Sequence, residues 1–137
     1  MPLVLTQNEV TESGHAYADI LGVQYEYPTR YARLIRPGVG FVYYRGRRRA
    51  SGAIGPQQYI GVGVIGRVRA GAAKGRLICS IAAYRPFVRP VYFKQKGRYL
   101  ESGAADFGSQ AGLYLRQGVR AISSEEFDEI LSAAGLG

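Results

Sequence analysis

The chain has no tryptophan and only one cysteine, one histidine and one methionine in 137 residues. Cys79, inside the apolar run Leu77–Ile81, has no second cysteine to pair with. One Cys and one His also fall short of a zinc ligand set. A reduced, cytoplasmic compartment is therefore expected. No apolar run approaches the ~20 residues of a membrane span, so no membrane partner is expected. The N-terminus shows no basic stretch followed by an apolar one, so no export signal is expected either. The sole histidine, His15, sits in a Ser-Gly-His-Ala segment. There is no P-loop, no G-x-S-x-G and no CxxC. A binding protein rather than an enzyme is expected, with no cofactor and no bound metal.

The most informative absence is of negative charge. No Asp or Glu occurs between Tyr27 and Glu101, while residues 27–100 hold 16 of the 18 Lys and Arg and eight of the 11 tyrosines. All ten acids lie outside that stretch. The metal clusters of a nuclease need carboxylates that this half does not have. A net charge of +8 concentrated in an acid-free half is the footprint of a polyanion binder. Phosphates neutralised by Lys or Arg release counterions whatever the base sequence. Interleaved tyrosines offer faces on which bases stack, worth ~1–3 kcal/mol each.

What is present fits one globular domain, residues 1–137, of 47% hydrophobic and 20% charged residues. Nineteen glycines favour short strands and turns over a helical bundle. Leu3–Leu5 reads as a short strand, followed by loop. Val23, Tyr25 and Tyr27 alternate with Gln24 and Glu26, the period of a strand. Pro28 fits the first position of a helix over Thr29–Ile35, stopped by Pro37-Gly38. Val39–Arg45 is β-branched and aromatic, a strand, and a basic loop runs over Gly46–Gln57. Gln58–Val68 is a further strand, with Gly61 and Gly63 leaving one face as bare backbone. Arg76–Tyr84, Val91–Phe93 and Gly118–Ile122 read as strands, and Gln110–Arg116 as a helix. Ser123-Ser124-Glu125-Glu126 is a capping box opening a helix through Phe127, Ile130 and Leu131, closed by Gly135. Six strands and two or three short helices predict an α+β fold around a small twisted or closed sheet.

The order of these motifs from Val23 to Leu131 resembles the EVE domain of the PUA-like superfamily, which also holds the YTH, ASCH and SRA domains. The resemblance is carried by Tyr25-Glu26-Tyr27-Pro28-Thr29-Arg30-Tyr31, by Pro37-Gly38, by Phe41–Gly46, by Tyr59–Val68 and by the closing Gly118–Leu131. Runs like the first and third are typical of EVE-like domains fused to HNH nucleases in modification-dependent restriction enzymes. The departures are the missing pocket tryptophans and Tyr44-Arg45-Gly46 in place of the usual Tyr-His-Ser. The resemblance implies a six-stranded barrel-like sheet flanked by two to three short helices. It also implies a concave pocket for a base swung out of the duplex. The implied partners are double-stranded DNA carrying a modified base, such as 5-methylcytosine or 5-hydroxymethylcytosine, and an HNH or other nuclease domain in cis or in trans.

On this reading the base pocket draws on Tyr25, Glu26, Tyr27, Tyr31, Tyr43, Tyr44, Ser80, Tyr84 and Phe87. Tyr43 and Tyr44 point to opposite faces, so at most one of them lines the same pocket as Tyr25 and Tyr27. Each tyrosine is either a pocket wall or a core residue. Glu26, the one acid among these aromatics, is a candidate acceptor for cytosine N4, or else a solvated strand carboxylate. Phosphate contacts fall to Arg30, Arg45, Arg47, Arg48, Arg49, Arg85 and Arg89. Two alternatives stay open: a PUA-like RNA-binding module, and a small-molecule or protein-interaction domain.

Overall fold

A computed structural model describes residues 1–7, 19–47 and 53–136. His15, Arg48 and Arg49 lie outside the described residues. The strands are β1 (Leu3–Thr6), β2 (Gln24–Pro28), β3 (Gly40–Arg45), β4 (Gln58–Ala70), β5 (Arg76–Tyr92), β6 (Lys94–Gln95), β7 (Arg98–Tyr99) and β8 (Val119–Ala121). The helices are α1 (Ser102–Asp106), α2 (Ala111–Leu115) and α3 (Ser124–Ala133), with 3₁₀ turns at Thr29–Tyr31 and Gly108–Gln110.

Six strands form one mixed sheet in the order β2-β5-β4-β3-β1-β8, and β6 and β7 make a small separate hairpin. Among the described strands β1 and β3 pair in parallel, and the other pairs run antiparallel. The sheet curls into a half-barrel that brings its two edge strands near each other. The Tyr25 hydroxyl on β2 reaches across the gap, 2.8 Å from the Thr6 carbonyl oxygen and 3.2 Å from that of Gly118, just before β8. The edges therefore meet as a seam closed by a side chain, where a full barrel would have a backbone ladder.

Two apolar clusters lie on the two faces of the sheet, as period-2 alternation requires. Leu3, Leu5, Tyr25, Tyr27, Ile35, Phe41, Tyr43, Ile65, Cys79 and Val119 pack on the concave side. Val4, Val42, Tyr44, Tyr59, Phe87, Val91, Leu115, Ile122 and Ile130 pack under the helices. Tyr43 and Tyr44 are thus on opposite faces, as their adjacency in a strand predicts. The bare glycine face is filled from within. A Cβ on Gly61 would lie 2.6 Å from the Tyr84 hydroxyl, and one on Gly63 2.8 Å from the Phe41 ring.

Three sequence-based expectations need correction. Thr29–Ile35 is not two α-helical turns; it is a three-residue 3₁₀ turn, Thr29–Tyr31, followed by tight turns. Pro28 ends β2 instead of opening a helix. Arg76–Tyr84 and Val91–Phe93 are not separate strands, because β5 is continuous over 17 residues. The strand runs through both Pro86 and Pro90. Beyond Ser80, β2 no longer flanks β5, and an edge tolerates proline's missing N–H. The capping box forms as expected: Ser123 Oγ accepts from Glu126 N–H at 3.0 Å, and Glu126 accepts from Ser123 N–H at 2.9 Å.

The segment 101–117 is fastened by a buried ion pair. Arg120 meets Glu101 through two parallel bonds, Nε–Oε1 at 2.7 Å and Nη2–Oε2 at 2.8 Å. Tyr59 and Tyr114 hydroxyls also donate to Glu101, at 2.7 and 3.1 Å. The remaining Arg120 nitrogen donates to the Leu115 and Gln117 carbonyls and to Thr6 Oγ1. Its guanidinium lies over the Tyr44 ring, 4.8 Å from the centroid. Such a pair is tolerated in the interior because its donors and acceptors are so fully engaged.

Candidate nucleic-acid interface

The seam leaves a cleft of about 140 Å³. Its walls come from β2 and the turn after it (Tyr25, Glu26, Tyr27, Pro28, Arg30, Tyr31), from the start of β5 (Arg76), and from Thr6, Arg116, Gly118 and Val119 opposite. The antiparallel register of β2 and β5 sets Arg76 beside Pro28 and Leu77 beside Tyr27. Arg76 Nε then meets Glu26 Oε2 at 2.9 Å. Three arginines and one carboxylate line the cleft, so its field is positive.

The tyrosines of β2 are walls more than surfaces. Tyr25 and Tyr27 are buried, with rings stacked at 6.4 Å and 17°. The Tyr27 hydroxyl is buried and has no hydrogen-bond partner among the described residues. Burial first, and the nearby Cys79 second, push its pKa up to about 12, so it stays protonated. Tyr31 is half-buried, with the Arg30 guanidinium 4.9 Å from its ring centroid. Glu26 is neither solvated nor isolated: it is buried and paired with Arg76.

Tyr25, Glu26, Tyr27, Tyr31 and Arg30 are thus brought together by the fold. The other expected pocket residues are not at the cleft. Tyr43 packs deeper in the concave cluster, edge-on to Tyr84 at 5.5 Å. Its hydroxyl accepts from Gly22 N–H at 3.3 Å. Burial raises the pKa of both Tyr43 and Tyr84. Tyr44 and Phe87 belong to the helix-side cluster, on the wrong face of the sheet to share a pocket with Tyr25 and Tyr27. Ser80 is exposed and accepts from Arg67 N–H at 2.8 Å, a local bond at a bulge. Arg47, Arg85 and Arg89 are exposed and Arg45 is half-buried. Arg85 lies nine residues along β5 from Arg76, roughly 30 Å if the strand were regular, so these two cations serve different parts of the surface.

Arg76 and Arg116 carry no signal in the sequence that would place them at this cleft. Arg76 follows a turn in the chain, and only the β2–β5 register carries it to Glu26. Arg116 follows α2 with no local pattern at all. A second concavity of about 380 Å³ lies between the β6–β7 hairpin and α3, lined by Gln95, Lys96, Arg98, Leu100, Glu129, Ser132 and Ala133. It is larger, but none of its lining residues is aromatic. Cys79 is buried and its thiol is pushed up to about 12, chiefly by burial, which leaves it inert. Among the described residues no cluster of three His, Cys, Asp or Glu could hold a metal, and no helix is long and apolar enough to cross a membrane.

This half-barrel, with short helices on one face, is the PUA/EVE-like α+β fold. The chain is similar to the N-terminal domain of Staphylothermus marinus McrB, with a TM-score of 0.56 and 14% identity, covering 95% of this chain and 92% of that one. It is equally similar to the DUF55 domain of human thymocyte nuclear protein 1, with a TM-score of 0.56 and 12% identity over the full length of both. No protein-family model matches the sequence, and no curated protein matches it.

Proposed function

We propose that the chain is a single DNA-binding domain that reads a modified base, and that the seam cleft is where the base is received. The observation that carries this reading is the convergence of Tyr25, Tyr27, Tyr31 and Glu26 with Arg30, Arg76 and Arg116 around one opening. A volume of about 140 Å³ suits a single heterocycle; drug-sized ligands occupy pockets of roughly 300–1,000 Å³. The EVE-like motif order and the PUA/EVE-like fold support a flipped base, probed at its polar edge. Flipping costs a few kcal/mol, and stacking on an aromatic returns ~1–3 kcal/mol. Tyr31, the half-buried ring, supplies that stacking. Glu26, held by Arg76, accepts from an exocyclic amino group such as cytosine N4. The module binds and a nuclease cuts, either as a further domain or as a separate chain, in the cytoplasm.

Fluorescence anisotropy on matched duplexes carrying cytosine, 5-methylcytosine, 5-hydroxymethylcytosine or N6-methyladenine tests this. A modified cytosine duplex is expected to bind tightest. Equal affinity for all four overturns modified-base reading and leaves DNA binding standing. Preference for transfer RNA in competition with duplex DNA would favour an RNA-binding module, because phosphate contacts do not identify the polymer.

A further inference from the structure

We propose that the duplex backbone is gripped by the end of the half-barrel formed by the β4–β5 hairpin and the turns after β2, and not by the cations of distal β5. The inference rests on the DNA-binding reading above and names the surface that performs it. Arg30, Arg33 and Arg36 recur every three residues through the turns following β2, and all are exposed. Arg67, Arg69 and Lys74 are exposed on the last residues of β4 and on the hairpin turn.

Backbone bonds hold these two basic segments side by side. Thr29 N–H donates to the Gly75 carbonyl at 3.1 Å. Gly38 N–H donates to the Ile65 carbonyl at 2.8 Å, and Ile65 N–H returns a bond to the Val39 carbonyl at 2.9 Å. Both ends of the turn segment are thereby sewn to the hairpin. Arg69 Nη2 also reaches Gln24 Oε1 on β2, at 3.3 Å. Six exposed cations thus share one end of the sheet, and the sequence from 28 to 100 contributes no acid to oppose them.

This end also adjoins the cleft. Arg30 lines both, and Arg76, the first residue of β5, follows the hairpin turn directly into the cleft wall. A backbone tracked across this end brings one of its nucleotides to the seam. Arg85 and Arg89 lie on the far half of β5, and neither lines the cleft.

The test is the salt dependence of binding to a duplex of fixed sequence. Replacing Arg33, Arg36 and Arg67 together by Ala is expected to reduce the log–log salt slope by roughly 2–3, at ~0.9 for each phosphate no longer neutralised. Affinity should fall for all duplexes alike, with the preference among them unchanged. The three side chains are exposed, so the melting temperature should hold, and replacing the same three by Lys should restore the slope. Replacing Arg85 and Arg89 by Ala should leave it unchanged. A wild-type slope in the Arg33/Arg36/Arg67 variant, or a reduced slope in the Arg85/Arg89 variant alone, overturns the placement while leaving the DNA-binding function intact. A flat salt response in the wild-type protein overturns both. Transfer RNA displacing the duplex at equal concentration overturns the assignment to DNA.

Discussion

Two places in this molecule contain the same set of groups, one glutamate, one arginine and two tyrosines, in different states of completion. At one, Glu101 and Arg120 meet with the hydroxyls of Tyr59 and Tyr114. At the other, Glu26 and Arg76 meet beside Tyr25 and Tyr27. The first is closed: both charged side chains are 1% exposed, and Arg120 spends its third nitrogen on carbonyls and a threonine. Charged hydrogen bonds hold the Arg120 pKa up against the burial that would lower it. Burial and the Glu101 charge raise the pKa of both Tyr59 and Tyr114. The second is open: Arg76 keeps 18% of its side chain exposed, and the Tyr27 hydroxyl has no partner among the described residues. A set of polar groups that satisfies itself fastens a fold. One left incomplete at a cleft is suited to meet a ligand.

The comparison is sharpest if the closed site is broken first. Arg120→Ala strands a buried carboxylate, and urea denaturation should record a loss of about 3–5 kcal/mol. Replacing Glu101 and Arg120 together by apolar residues of similar size should cost far less than that single change, because no charge is left unpaired. Tyr59→Phe removes one charge-assisted bond to Glu101 and should cost about 1.5–3 kcal/mol in the same assay.

A third carboxylate, Glu126, adjoins the closed site through the chain. It receives N–H groups from Ser123 and from Ser102, the residue after Glu101. Burial alone would raise its pKa, but these bonds outweigh burial and hold it below the ordinary 4.5. A depressed folded-state pKa means that the stability it contributes is complete above pH 4.5 and lost as pH falls through the folded value. The stability gap between wild type and Glu126→Gln, followed by thermal melts, should therefore close in acid.

The smallest effects lie at the open site and contrast two neighbouring tyrosines. Tyr25→Phe deletes the bond across the seam and should cost about 1 kcal/mol. Tyr27→Phe deletes a hydroxyl that has no hydrogen-bond partner among the described residues. Its melting temperature should stay level or rise, since a buried unpaired polar group is itself a cost. A clear loss of stability in Tyr27→Phe would mean that its hydroxyl is satisfied within the fold and would erase the contrast.

Local chemistry was legible in the chain. Val39–Arg45 had to be a strand, because its β-branched and aromatic residues fit a pleated surface, and Tyr43 and Tyr44 then had to face opposite ways. Ser123 and Glu126 lie three residues apart, so the capping box needed nothing from the rest of the molecule. The acid-free stretch fixed the sign of the field on any surface it formed. Tertiary structure decided what each residue faces. Nothing local says that Arg76 meets Glu26 across 50 residues, or that Glu101 and Arg120 close on each other beneath Tyr59. Nor does anything local say that β5 runs on through Pro86 and Pro90, which it does because that half of the strand lies at an edge. The seam itself is a property of the curl, since it exists only where β2 and β8 approach without pairing. Propensity and capping act over a few residues, whereas a site assembled from both edges of a sheet depends on how the whole sheet closes.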